Sequence, residues 1–189
     1  MLLRGESSAF ELIYKNNFHS LFQYGMRILE DEDAVGDCVH NLFVKIWENR
    51  NNLSPALNPR FYLMSSLRNI IFNYNEQRSR FDKKAIDDTN YFDLKFTLES
   101  DLIRKEEVNE KSAQLATAMN QLTPRQKEII YLKYFEELDY NDIAEMMDLS
   151  VKGAYKLSAR ALEALREILK IDKTLLLALL AEAKYHSFF

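Results

Sequence analysis

The chain has 189 residues, of which 47% are hydrophobic and 29% charged, with a formal net charge of −4. That length and apolar content suit one large globular domain or two small ones. Four glycines and three prolines are too few for the many tight turns of a strand-rich fold, so an all-α architecture is expected.

The first helix is expected from Ser8 to Leu29, where Phe10, Ile13, Tyr14, Phe18, Leu21, Phe22 and Ile28 recur at helical spacing. No apolar stretch of signal-peptide length precedes it. The acids Glu30 to Asp33 favour the dipole of a helix start, so a second helix follows to about Trp47. Phe43 and Trp47, four apart, share a face and read as core. Asp37, His40 and Lys45 are left on a polar face, either solvated or used for binding. Cys38 is the lone cysteine; with no partner for an internal disulfide, it suits a reducing cytoplasm. The spacing Asp31-x-Asp33-x-x-Gly36 is similar to the opening of a calcium loop. It fails as one, because Val35 supplies no side-chain oxygen and Leu42 stands where a bidentate Glu belongs.

After a polar loop from Asn49 to Pro59, a third helix is expected to about Arg78, with Leu63, Leu67, Ile70, Ile71 and Tyr74 on one face. The opposite face presents Tyr62, Ser65, Asn69, Phe72 and Asn73, with Arg68 flanking. Rings and side-chain amides suit unpaired bases, because rings stack on them and amides bond their edges. Taken from the residues alone, the same face reads more simply as the second buried side of a core helix. These three helices form a first domain over residues 1–80.

Charge then changes sign along the chain. Arg60, Arg68, Arg78, Arg80, Lys83 and Lys84 face only Glu76 and Asp82, and the basic end suits phosphates. From Ala85 to Glu110 eight acids face three bases, and helical periodicity fades. Residues 81–109 are therefore expected to be a flexible acidic linker.

Residues 110–170 form the second expected domain. Thr123-Pro124 places a capping hydroxyl before a proline at the first helical position. Glu136 to Asp139 breaks the pattern, and a short helix from Tyr140 to Met147 turns inward Ile143, Ala144 and Met147. Asp148 to Ser150 is a tight turn and Ser150 caps the next helix, so the unit reads as a helix-turn-helix. On that helix Ala154, Leu157, Ala161, Leu165 and Ile168 pack inward. The outer side carries Lys152, Lys156 and Arg160, then Glu163 and Glu167. Such a helix can enter the major groove with its basic leading half, although a solvated lysine stripe is an equally ordinary reading. Gly153 costs about 1 kcal/mol of helix stability relative to Ala. Arg125 and Lys127, near the start of the earlier helix, are candidate phosphate contacts. The tail, residues 171–189, holds the longest apolar run, Leu175 to Ala181, far short of the roughly 20 residues a membrane span needs. It is either an extra helix on the second domain or a docking site.

Nothing points to catalysis, to a cofactor or metal, or to a small-molecule substrate: His19, His40 and His186 lie in no ligand spacing, and no glycine-rich phosphate loop exists. A soluble cytoplasmic protein without a membrane span is expected.

Several stretches together carry a resemblance. Asp37-Cys-Val-His-Asn-Leu-Phe-Val-Lys-Ile-Trp47 and Tyr62-Leu-Met-Ser-Ser-Leu-Arg-Asn69 are similar to the first-domain signatures of extracytoplasmic-function (ECF) sigma factors of the sigma-70 family. Leu122 to Ile130, Asp142 to Ser150 and Arg160-Ala161-Leu162 are similar to the second-domain signatures. The resemblance implies an alternative sigma factor that binds core RNA polymerase and promoter DNA and answers to an anti-sigma factor. It further implies −10 melting by Tyr62, Arg68, Asn69, Phe72, Asn73, Arg78 and Arg80. Contact with the −35 element would come from Arg125, Lys127, Lys152, Gly153, Lys156 and Arg160. Asp37, His40 and Lys45 would grip the polymerase β′ clamp helices, the second domain would meet the β flap, and the linker would thread the polymerase cleft. The sequence departs from the pattern at Asn73, Glu76, Gly153-Ala154, Tyr155 and Leu157, which bears on promoter sequence and affinity. Residues alone also allow a helix-turn-helix regulator that acts on duplex DNA without polymerase, or a helical adaptor.

Overall fold

The computed structural model describes residues 7–29, 31–52, 58–82 and 106–186. Among them the chain is helical, with turns and short connections and no strand. It divides into two compact units, Met1–Tyr91 and Phe92–Phe189.

In the first unit, helices α1 (Ser7–Leu29), α2 (Glu32–Glu48) and α3 (Pro59–Asp82) all pack against one another. Asp31 starts α2: its carboxylate accepts from the Ala34 amide at 3.1 Å, which accounts for the acidic cluster as a cap. Asn58 starts α3 in the same way, accepting from the Phe61 amide at 3.2 Å. Tyr24, Val35, Val39, Leu67 and Ile71 are fully buried at the centre; an apolar side chain so buried stabilises by about 1.5–3 kcal/mol. Gly25 lets α1 approach α2, because a Cβ there would lie 2.7 Å from Val35 Cγ1. Phe43 is buried as expected, while Trp47 is half-buried. The Trp47 ring lies 5.0 Å from Phe10 and has the Arg50 guanidinium 4.5 Å above it. Cys38 is a core residue, and burial pushes its thiol up, with Asp37 adding to the effect.

The expected end of α3 is corrected. The helix runs past Arg78 to Asp82, and α4 already begins at Glu106, so both ends of the expected linker are helical. Its remainder, residues 83–105, lies outside the described residues.

The second unit holds α4 (Glu106–Asn120), α5 (Pro124–Ile130), α6 (Tyr140–Met146), α7 (Val151–Leu169) and α8 (Lys173–His186). Thr123 and Gln126 cap α5 reciprocally, each side chain bonding the other's backbone amide. After Ile130 the helix widens into a π turn, Tyr131–Phe135, in which the Glu136 amide donates to the Tyr131 carbonyl at 3.1 Å. The Tyr131 hydroxyl donates to Glu136 Oε1 at 2.9 Å in the buried interior. Glu137 then takes a left-handed φ of 57°, and Asp139 caps α6 by accepting from the Asn141 and Asp142 amides. The apolar tail proves to be α8. Leu176 and Leu180 are fully buried, α8 packs on α4, α7 and the π turn, and Lys184 pairs with Glu137. Of the two expected roles, the extra helix is the one found.

Candidate nucleic-acid interface

The turn between α6 and α7 is built from backbone chemistry. Asp148 adopts φ 52°, the Leu149 amide donates to the Ala144 carbonyl at 2.8 Å, and the Gly153 amide donates to Ser150 Oγ at 3.0 Å. Small Ala144 of α6 is buried against α7, whose own Ala154, Ala161 and Leu165 are buried too; Leu157 and Ile168 are half-buried. A Cβ on Gly153 would stand 3.1 Å from the capping Ser150 Oγ and 3.8 Å from Leu149 Cβ. A side chain at this position would thus require the capping hydroxyl to yield by a few tenths of an ångström.

Lys152, Lys156 and Arg160 are all exposed on α7, as are Glu163 and Glu167 behind them. The basic ridge is therefore real, and its leading half is the end nearest the turn. Arg125 and Lys127 fare differently. Arg125 is exposed, but its Nη2 donates to the Met147 carbonyl at 2.6 Å, so it braces the end of α6. Lys127 is only 5% exposed, and the structure removes it from the DNA-facing set. From Lys127 to Ile130 four consecutive residues of α5 are buried, so that turn of the helix has no outer face on which a lysine could meet a phosphate.

Aromatic side chains extend the surface of α7. Tyr155 is 55% exposed, and its ring centroid lies 3.9 Å from that of Tyr140. The Tyr140 hydroxyl donates to Ser158 Oγ at 3.1 Å. Burial raises the neighbouring Tyr134 hydroxyl above its usual value; a hydrogen bond with Ser158 lowers it, and Tyr140 raises it again.

On α3 of the first unit, Tyr62 and Phe72 are 38% and 39% exposed, and Asn69 and Asn73 are exposed beside them. They share one face, as their spacing predicts, with Ser65 and Arg68 half-buried along it. Arg78 Nη1 lies 3.7 Å from Asp31 Oδ2 in an exposed ion pair; such pairs contribute little, so a phosphate can compete for the guanidinium. Arg80 continues α3, but its side chain lies outside the described residues. On α2, Asp37, His40 and Lys45 are exposed together. Asn41, Val44 and Glu48 complete the same outer face; the i, i+4, i+7 spacing from Asp37 holds the signal that would have added them.

A short helix, a tight turn and a longer helix with a basic leading edge define a helix-turn-helix protein. Residues 112–165, from α4 through most of α7, match the family model for sigma-70, region 4. Among solved structures, the chain is similar to the sigma factor RpoE in complex with the anti-sigma factor NepR from Bartonella quintana. The two share 20% identity at a TM-score of 0.61, covering 87% of this chain and 98% of that one. It is also similar to CnrH in complex with the cytosolic domain of CnrY, at 19% identity and a TM-score of 0.55, covering 90% of this chain and 94% of that one. No curated protein matches the chain by sequence. Within the second unit, residues 112–165 are thus a match to sigma-70 region 4, and the chain as a whole shares the fold of these two solved structures. Among the described residues no helix is long and apolar enough to cross a membrane.

Proposed function

We propose that this chain is an alternative sigma factor whose two units divide promoter recognition between them. The exposed ridge of Lys152, Lys156 and Arg160 on the second helix of a region 4 helix-turn-helix carries the reading. In this role α7 enters the major groove of the −35 element. Lysines, as flexible point charges, hold phosphates there more than they read bases. Arg125 braces the turn that aims α7. In the first unit, Tyr62, Asn69, Phe72 and Asn73 capture unpaired −10 bases, and Arg68, Arg78 and Arg80 hold the backbone. Opening a base step costs a few kcal/mol. Stacking contributes about 1–3 kcal/mol per base, so binding alone offsets the cost.

The protein acts by binding, without chemistry of its own, in the cytoplasm where RNA polymerase works. Asp37, His40 and Lys45 on the outer face of α2 grip the β′ clamp helices, and the second unit meets the β flap. The acidic linker threads the polymerase cleft. An anti-sigma factor is a fitting partner, since the similar RpoE structure was solved with one.

Run-off transcription over a genomic library, with the purified chain and core RNA polymerase, tests the reading and should yield a discrete set of promoters. Specific duplex binding without any core association would instead identify a regulator that works without polymerase.

A further inference from the structure

The exposed face of α7 carries two strips, only one of them basic. Val151, Tyr155 and Ala159 recur at i, i+4 and i+8, each one residue before Lys152, Lys156 and Arg160. At about 100° per residue the two strips run side by side along the helix. Val151 is 40% exposed and Tyr155 55%, and Ala159 is exposed too. An apolar strip facing water therefore lies along the ridge assigned to DNA.

Tyr155 is also held in place. Its ring rests on Tyr140 at 3.9 Å between centroids, with the planes inclined by 31°. Tyr140 is itself fixed from two directions. Its hydroxyl donates to Ser158 Oγ at 3.1 Å, and Lys133 Nζ lies 4.9 Å from its ring centroid. The same Lys133 Nζ donates to the Leu138 carbonyl at 3.0 Å, tying the brace to the loop that leads into α6. A side chain ordered before binding loses little conformational freedom on binding.

The major groove offers one apolar group, the C5 methyl of thymine; every other base edge presents donors or acceptors. Lysine alone distinguishes bases poorly, so on the leading turns of this helix, ahead of Arg160, the discriminating chemistry is apolar. Building on the sigma-factor reading, we propose that Tyr155 is a specificity-determining residue that reads thymine methyl groups in the −35 element. Val151 and Ala159 extend the same apolar contact along the groove.

The test uses the full chain assembled with its core RNA polymerase and a duplex pool randomised across the −35 region. After enrichment, each thymine of the selected duplex is replaced singly by deoxyuridine, which removes only the methyl. At one or more positions occupancy should fall about fourfold, the equivalent of one buried methyl. The loss should persist with Tyr155→Phe, which keeps the ring, and vanish with Tyr155→Ala. Selected duplexes indifferent to deoxyuridine would overturn the proposal, and this arm uses the unaltered chain, so it does not depend on any variant folding. Equal deoxyuridine sensitivity in Tyr155→Ala would overturn it as well, leaving Tyr155 only a packing role. No enrichment by the holoenzyme at all would sink the sigma-factor reading along with it.

Discussion

Gly25 and Gly153 both lie within helices, where glycine costs about 1 kcal/mol relative to alanine, and Gly25 is explained by what a side chain would meet. At Gly25 the obstacle is Val35 Cγ1, 2.7 Å from an added Cβ and on a branched side chain with little freedom to turn away. Overpacking of this kind costs about 1–3 kcal/mol, which matches or exceeds the helix-propensity gain. Gly25→Ala is therefore expected to lower the urea midpoint of the first unit, and a raised midpoint would show that α1 and α2 can separate at no cost. At Gly153 the neighbour is a capping hydroxyl 3.1 Å away, a tighter fit than helix periodicity discloses. Lys127 teaches the same lesson through an error. A charged side chain near a helix start reads as exposed, yet α5 is buried around that turn and Lys127 with it.

Among the elements, α8 shows how far an apolar pattern goes. The run Leu175 to Ala181 signals burial, but only packing on α4, α7 and the π turn selects the face that carries Leu176 and Leu180. Its start is set by Asp172, whose carboxylate accepts from the Thr174 and Leu175 amides at 2.8 and 3.0 Å. Those backbone bonds, Leu175 first and then Thr174, hold the Asp172 carboxyl below its ordinary value. A depressed folded-state pKa means the cap stabilises fully above the ordinary aspartate range. The contribution is lost as pH falls through the lowered value. Asp172→Ala should thus lower the melting temperature at neutral pH, and the gap to the unaltered chain should close in acid. Melting followed by circular dichroism across that range checks it; a gap independent of pH would mean the cap acts through something other than its charge. The π turn is harder to foresee. One extra residue in a helical turn leaves the apolar spacing of Ile129, Ile130, Leu132 and Phe135 nearly unchanged, and only the Glu136 to Tyr131 backbone bond reveals it.

Across the whole molecule, each unit carries its own exposed face, and the two faces call for different tests. Lys156→Glu reverses a charge on the ridge of α7 and should weaken promoter occupancy roughly tenfold while sparing association with core polymerase. Asn69→Ala removes one side-chain amide from the α3 face and should leave initial binding nearly intact. Opening should fall several-fold, as expected for the loss of about 1 kcal/mol. Permanganate reactivity at −10, measured beside filter-binding affinity, separates the two effects. Normal reactivity in Asn69→Ala would remove that residue from base capture.

The sequence by itself determined the elements that rest on local chemistry. Helical spacing set α1, α2, α6 and α7, the pair Thr123-Pro124 set the start of α5, and Ser150 set the start of α7. It also determined which residues share a face on α3 and on α7, because the angle between residues on a helix is a constant, whereas the exposure of the Tyr62 and Phe72 face of α3 emerged only from the packing. Tertiary structure alone decided that Lys127 is buried, that Arg125 braces α6, that α8 closes the second unit, and that Tyr155 stands on Tyr140. Each depends on which residues meet across space, and that is set by how whole helices pack rather than by the spacing along any one of them.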